Sequence, residues 1–487
     1  MSHEYPLASA RITFPWPSTP PSEAHRAAYA EAERRSYWLD GDGASGLPGP
    51  ALEADTDADL CIVGGGFTGL WAALHAKRED PSRDVVVLEA ETAGFGASGR
   101  NGGFAIASIT HGIANGAARF ANELDTLERL SQENYEGLKT DLEHHTIDCD
   151  FEETGELSVA LEPHEEAWLD EEQELLARHG HETERFDGPA MQREIASPLY
   201  RGGLWDRTGA AILDPGKLAR GLRAAALAQG VHIFEHSPAA ALEATDAAVE
   251  VLAPRGRVRA RRVLLATSAY PPLLKAIRRY VVPVYDYVLV TEPLSEAQQD
   301  AIGWRRRQGI GDAANRFHYY RRTADGRILW GGYDAIYRFG GPVGPQLDDR
   351  DATFARLSQH FFTTFPQLEG LRFSHRWGGA IDTCSRFSVF FGTAHGGRVA
   401  LAAGYTGLGV VSTRWGARTA LDLLDGRTTE ATRLRYVRRR PVPFPPEPLR
   451  TAVIQLTRNR LAAADRRQGR RGPWQRTLDR FGLGFDS

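Results

Sequence analysis

The run Leu60-Cys61-Ile62-Val63-Gly64-Gly65-Gly66-Phe67-Thr68-Gly69 constrains this chain more than any other. Four consecutive apolar residues read as a strand buried on both faces. Glycines end it, and Phe67 to Lys77 continues with helical spacing and good helix formers. Val85 to Leu88 is a second buried strand, so a β-turn-α-β unit of about 30 residues results. Its turn is GxGxxG at Gly64, Gly66 and Gly69. The first glycine permits the tight turn, the second lets the backbone approach a pyrophosphate, and the third lets helix and strand pack closely. Phe67 and Thr68 then open a helix whose unpaired N–H groups and positive dipole end face the phosphates.

GxGxxG alone is weak evidence, but here the second strand ends in Glu89-Ala90. A carboxylate at that place accepts hydrogen bonds from ribose hydroxyls, so a dinucleotide is expected. Which dinucleotide is decided by Gly94-Phe95-Gly96-Ala97-Ser98-Gly99-Arg100-Asn101-Gly102-Gly103, with five glycines in ten residues. Such a loop brings backbone N–H groups close to a large planar ligand, which a simple NAD domain does not need. A second glycine turn, Gly404-Tyr405-Thr406-Gly407-Leu408-Gly409, opens a helix from Val410 to Leu424. That helix start can stabilise negative charge on a reduced flavin. Together they point to FAD.

The 487 residues suffice for two or three domains. A net charge of −5 implies no bulk attraction to nucleic acid or anionic lipid. The only cysteines, Cys61, Cys149 and Cys384, form no CxxC pair, so neither a disulfide framework nor a metal cluster is expected. Residues 1–21 lack the pattern of a signal peptide, and no apolar run is long enough to span a membrane. A soluble cytoplasmic protein without membrane insertion is expected. The only lysines are Lys77, Lys139, Lys217 and Lys275.

Along the chain, a short helix is expected from about Ser22 to Arg35, and a loop from Asp40 to Pro50. Helices are expected over Leu124–Leu142, Glu165–Arg178, Pro215–Gln229 and Asp351–Phe362. Short strands are expected at 156–161, 231–234 and 263–266. From Val281 to Gly332 the texture becomes that of an antiparallel sheet, with strands near 284–290, 317–320 and 328–330. From Ala431 the chain carries fourteen arginines and four acidic residues. It reads as a solvated or subunit-packing tail, ahead of a nucleic-acid arm.

The chain resembles the D-amino-acid-oxidase-like flavoproteins, most of all their gamma-glutamylputrescine oxidase branch. The carrying residues are GGGFTGLWAAL from Gly64, VVVLEA from Val85, GFGASGRNGG from Gly94, ATSAY from Ala266, TEPL from Thr291, WGGAID from Trp377 and GYTGLG from Gly404. The resemblance implies α/β plus α+β architecture. A discontinuous Rossmann-like FAD-binding domain (57–110, 214–275, 374–430) would join a substrate domain on an antiparallel sheet (111–213, 276–373). A lead-in (1–56) and an Arg/Pro-rich tail (431–487) flank them. It places Ala239 and Thr267 near the adenosine half of FAD, and Gly96 to Gly103 and Thr406 to Gly409 along the isoalloxazine and its phosphates. Sarcosine oxidases of this family attach FAD to a cysteine where this chain aligns Gly379, so non-covalent FAD is expected. They also activate oxygen with a lysine where this chain aligns Trp330.

The resemblance implies oxidation of an amine C–N bond: hydride transfer to flavin N5, imine hydrolysis, and reoxidation by O2 to H2O2. An amine dehydrogenase passing electrons to another acceptor is the alternative. A protonated aliphatic amine has a pKa near 10, so the site must desolvate it or take its proton. Aromatic faces and a carboxylate suit an amine. The candidates are Tyr319, Asp334, Trp330, His318 and Tyr320. Tyr319 and Asp334 also align with sarcosine oxidase active-site positions. His318 and Tyr320 should share one strand face, with Tyr319 on the other. Tyr285, Tyr287 and His111 are weaker candidates.

Overall fold

The computed structural model describes residues 14–40, 48–245 and 247–480. The first thirteen residues and 41–47, most of the loop expected from Asp40 to Pro50, lie outside them. Two large sheets organise the molecule. The first has eight strands, with the parallel strand Thr56–Val63 between Val85–Leu88 and Gly256–Leu265. His232–Phe234 and Val399–Ala403 extend it in parallel on either side. Leu60–Val63 and Val85–Leu88 are apolar because both faces are covered: Leu60, Ile62, Val85 and Val87 pack on the helix side, and Cys61, Val63, Val86 and Leu88 pack with Val249 and Val251 of the antiparallel strand Val249–Ala253. The helix Phe67–Glu79 is buried from Phe67 to Ala76 and packs against Pro215–Ala228 and Ser412–Leu424. Asp214 caps Pro215–Ala228 by accepting from the Lys217 N–H at 2.8 Å.

The second sheet has nine strands and is antiparallel except where Gly309–Asp312 runs parallel to Glu156–Ala160. Its long members are Val282–Thr291 and Phe373–Thr383. Side chains alternate across it. One face carries Tyr285, Tyr287, Leu289, Tyr320 and Trp330 into a core with Phe354 and Phe361 of the helix Asp351–Thr364. The opposite face carries Val284, Asp286, Val288 and Tyr319 and lines a cavity between the sheets.

Three expectations need correction. The early helix is only Glu23–Ala27, with Ser22 as its cap. The strand Phe373–Thr383 belongs to the second sheet, so a boundary at residue 374 would cut it from its partners. The tail is folded onto this chain: Leu449–Asp465 and Pro473–Arg480 are helices, and the Asp465 carboxylate accepts from Asn315 N–H and Nδ2 at 3.1 and 2.7 Å.

Candidate active site

The first glycine turn has the geometry its sequence demands. Gly64 sits at φ +108°, a conformation L side chains avoid. A Cβ on Gly69 would collide with the Gly64 carbonyl, so helix and strand touch as closely as the third glycine was expected to allow. Glu89 accepts from the Gly65 N–H at 2.6 Å, and burial raises its pKa.

The loop 94–103 is fastened from behind. Arg100, Asn101 and Gly102 give their carbonyls to Trp377 Nε1 (2.9 Å), Trp38 Nε1 (2.8 Å) and Arg321 Nε (2.7 Å). Asn101 folds the loop by donating to the Ala97 and Ser98 carbonyls and accepting from the Gly103 N–H. Ser98 Oγ accepts from the Phe67 N–H at 2.8 Å, joining loop to helix start.

The second glycine turn meets the first. Thr68 Oγ1 donates to the Tyr405 hydroxyl at 3.0 Å. The buried Asp382 carboxylate gathers the Gly404, Tyr405 and Thr406 N–H groups, while burial pushes its pKa up to about 6. One elongated cavity of about 1470 Å³ runs past both turns. Gly64, Gly66, Phe67, Thr68, Glu89, Ala90, Gly96, Ala97, Ser98, Arg100, Asn101, Gly102, Ala239, Thr267 and Tyr405 to Gly409 all line it. Gly69 and Gly103 do not: they serve packing behind the wall, with Gly103 against the Leu213 carbonyl. Two convergent glycine turns and a helix N-terminus on one long cavity are the cradle a dinucleotide with a planar ring system requires.

Of the five substrate-side candidates, Tyr319 and Asp334 line the cavity, and Trp330, His318 and Tyr320 do not. The alternation of the sheet turns those three into the opposite core, where each is at most 1% exposed. There Tyr320 shares a 2.7 Å hydrogen bond with Tyr200, and His318 lies between Asp312 (2.8 Å) and His360 (3.0 Å). Tyr285 and Tyr287 face the same core. Asp334 is already saturated by Arg316 (2.9 Å), Arg356 (2.7 Å), Arg350 (3.4 Å) and Thr353 (2.9 Å).

The carboxylate beside Tyr319 is instead Asp286, which the sequence reading missed. The Tyr319 hydroxyl donates to Asp286 Oδ2 at 2.5 Å. Asp286 lines the cavity, and burial raises its pKa to about 6 against hydrogen bonds from Tyr319 and the Tyr287 and Gly332 backbone. Its signal was present: it is the only charged residue in the strand Val282–Thr291. His111 also lines the cavity. Burial lowers its pKa to about 4, and its Nδ1 has no hydrogen-bond partner.

The tail contributes the remaining wall, with Val453, Ile454, Thr457, Arg458 and Leu461 lining the cavity from one helix face. Among the described residues, no helix is long and apolar enough to cross a membrane.

Residues 59–423 match the family model described as FAD dependent oxidoreductase. The chain is 33% identical over 413 residues to gamma-glutamylputrescine oxidoreductase of Escherichia coli, covering 82% of this chain and 89% of that protein. It is 30% identical to the probable oxidoreductase OrdL of Haemophilus influenzae, over 80% and 88% of the two chains. Among solved structures, glycine oxidase from Geobacillus kaustophilus superposes with a TM-score of 0.64 at 18% identity, covering 77% of this chain and 96% of that one. The chain therefore belongs to the D-amino-acid-oxidase-type family of FAD-dependent oxidoreductases, and its cofactor is FAD.

Proposed function

We propose that this protein oxidises the C–N bond of a small amine, with a gamma-glutamylated polyamine-like amine as the leading substrate class. The observation that carries the reading is Asp286, an acid with a raised pKa, joined to Tyr319 on the wall that faces the flavin loop. Bound FAD supplies the acceptor for the hydride that leaves the carbon bearing nitrogen. The chain's own residues do the rest. The backbone of Gly64–Gly69, Gly96–Gly102 and Thr406–Gly409 holds the cofactor. The Asp286 carboxylate attracts the substrate ammonium and takes its proton, and the Tyr319 hydroxyl steadies that carboxylate and orients the nitrogen. The imine product is hydrolysed by water after the electrons have left. Non-covalent FAD is supported by the Cys384 thiol, which lines the cavity but donates to the Ser388 and Gly404 carbonyls at 3.2 and 3.4 Å and is kept protonated by burial.

Reoxidation by O2 is the first reading. Transfer to another acceptor is the second, favoured by one observation: none of the four lysines lines the cavity. Anaerobic mixing of the holoprotein with gamma-glutamylputrescine, other polyamine derivatives, sarcosine and glycine tests the substrate class. Bleaching by the polyamine-like amines supports it, and bleaching by α-amino acids alone refutes it. Admitting air to the bleached protein and timing the return of colour separates the two acceptors.

A further inference from the structure

The cavity extends past Tyr319 along the sheet. Tyr319 stands opposite Gly311, and Gly311 opposite Ser158. Two strand spacings and two residues along the edge put the Cα of Glu156 about 12 Å from that of Tyr319, on the same face. Glu156 and Glu172, the latter from the helix Pro163–Arg178, both line this arm. Ser158 also lines the arm and hydrogen-bonds Glu172. The Glu156 side chain is half-buried on the cavity wall, and among the described residues its carboxylate has neither a hydrogen-bond nor an ion-pair partner. Trp168, one turn before Glu172, adds an aromatic wall. Two neighbouring half-buried carboxylates at one end of a cavity, with no basic side chain paired to either among the described residues, repel each other unless a ligand brings a cation. The cost is visible in both groups: burial, then the neighbouring acids, push Glu156 up to about 8, and burial and Asp206 push Glu172 up to about 7.

We propose that Glu156 and Glu172 form a receptor for a second ammonium group of the substrate, so that the enzyme selects amines carrying another cation at the far end of a chain that spans from Tyr319 to this arm. This rests on the amine-oxidation reading and narrows its substrate to diamines, polyamines and their aminoacyl derivatives. The selection follows from charge: a monoamine of equal length fills the arm but leaves both acids unpaired.

Heptamethylenediamine and heptylamine, matched in chain length, test it on the holoenzyme and on Glu156→Gln and Glu172→Gln. Gln keeps the shape and cannot take up the negative charge that would pair with an ammonium, and the visible flavin spectrum checks that each variant is folded and loaded. Calorimetric binding to the oxidised holoenzyme should favour the diamine at least about tenfold. In either variant that preference should collapse, with heptylamine binding unchanged. In anaerobic bleaching, the same variants should raise the diamine concentration giving half-maximal rate and leave the saturated rate within about twofold. Equal binding of the two amines by the parent, or an undiminished preference in both variants, would overturn the receptor. If neither amine bleaches the flavin, amine oxidation itself is in question, and the binding comparison still decides the receptor.

Discussion

Asp286 makes a stability cost and a chemical use fall on one carboxyl. Its folded pKa of about 6 lies above the ordinary 3.8, so the folded state holds the proton more tightly than the unfolded chain. That contribution is fully present below pH 3.8 and is lost as the pH rises through about 6. At neutral pH the buried charge costs on the order of 2–3 kcal/mol. Asp286→Asn is therefore expected to be more stable than the parent at pH 7 and nearly equal near pH 4, which thermal melts at the two pH values would show. The same substitution should slow flavin reduction by roughly 10²–10⁴-fold. In the parent, reduction should fall as the pH drops through about 6, and the variant should lack that limb. A melt at neutral pH that drops in Asp286→Asn would mean that the carboxylate is structural. For the cofactor, acid precipitation should release all flavin into the supernatant, since Cys384 is occupied by backbone carbonyls.

The loop 404–409 holds its shape through Asp382, whose carboxylate collects three successive N–H groups. Asp382→Ala should leave those donors unsatisfied, at about 1–3 kcal/mol. Flavin affinity is expected to weaken by roughly 10–100-fold, measured by titrating apoprotein with FAD. Unchanged affinity would show that the turn is rigid without its acid. The matching device on the first loop is the row of donors from Trp38, Trp377 and Arg321 behind residues 100–102. These donors come from three distant parts of the chain, so no local pattern announced them.

The molecule as a whole places its chemistry in the space between two sheets and closes that space with the tail. Asp465→Ala releases the helix Leu449–Asp465 from Asn315. It should raise the substrate concentration for half-maximal reduction while leaving flavin content unchanged, a split that steady-state titration would read. The cofactor half was legible in the sequence because a glycine turn is a local solution to a local problem: Gly64, Gly66 and Gly69 fix the backbone within one strand-turn-helix. The substrate half was legible only in part. Strand alternation separated Tyr319 from Tyr320 and His318, yet which face met the cavity depended on where the second sheet docked. Trp330 and His318 were drawn in by chemistry that packing had already assigned to the core. The arginine-rich tail looked solvated because its apolar face, Val453 to Leu461, is short and interrupted by Thr457 and Arg458.

The central claim is that Asp286 accepts the proton of an amine held against the bound flavin. The direct measurement is the anaerobic stopped-flow reduction rate of the loaded parent and of Asp286→Asn, with saturating amine, across pH 5 to 9. The account predicts full flavin content in both proteins, rapid bleaching in the parent, and a rate at least about 100-fold lower in the variant. Equal rates in the two proteins, with flavin bound in each, would contradict it.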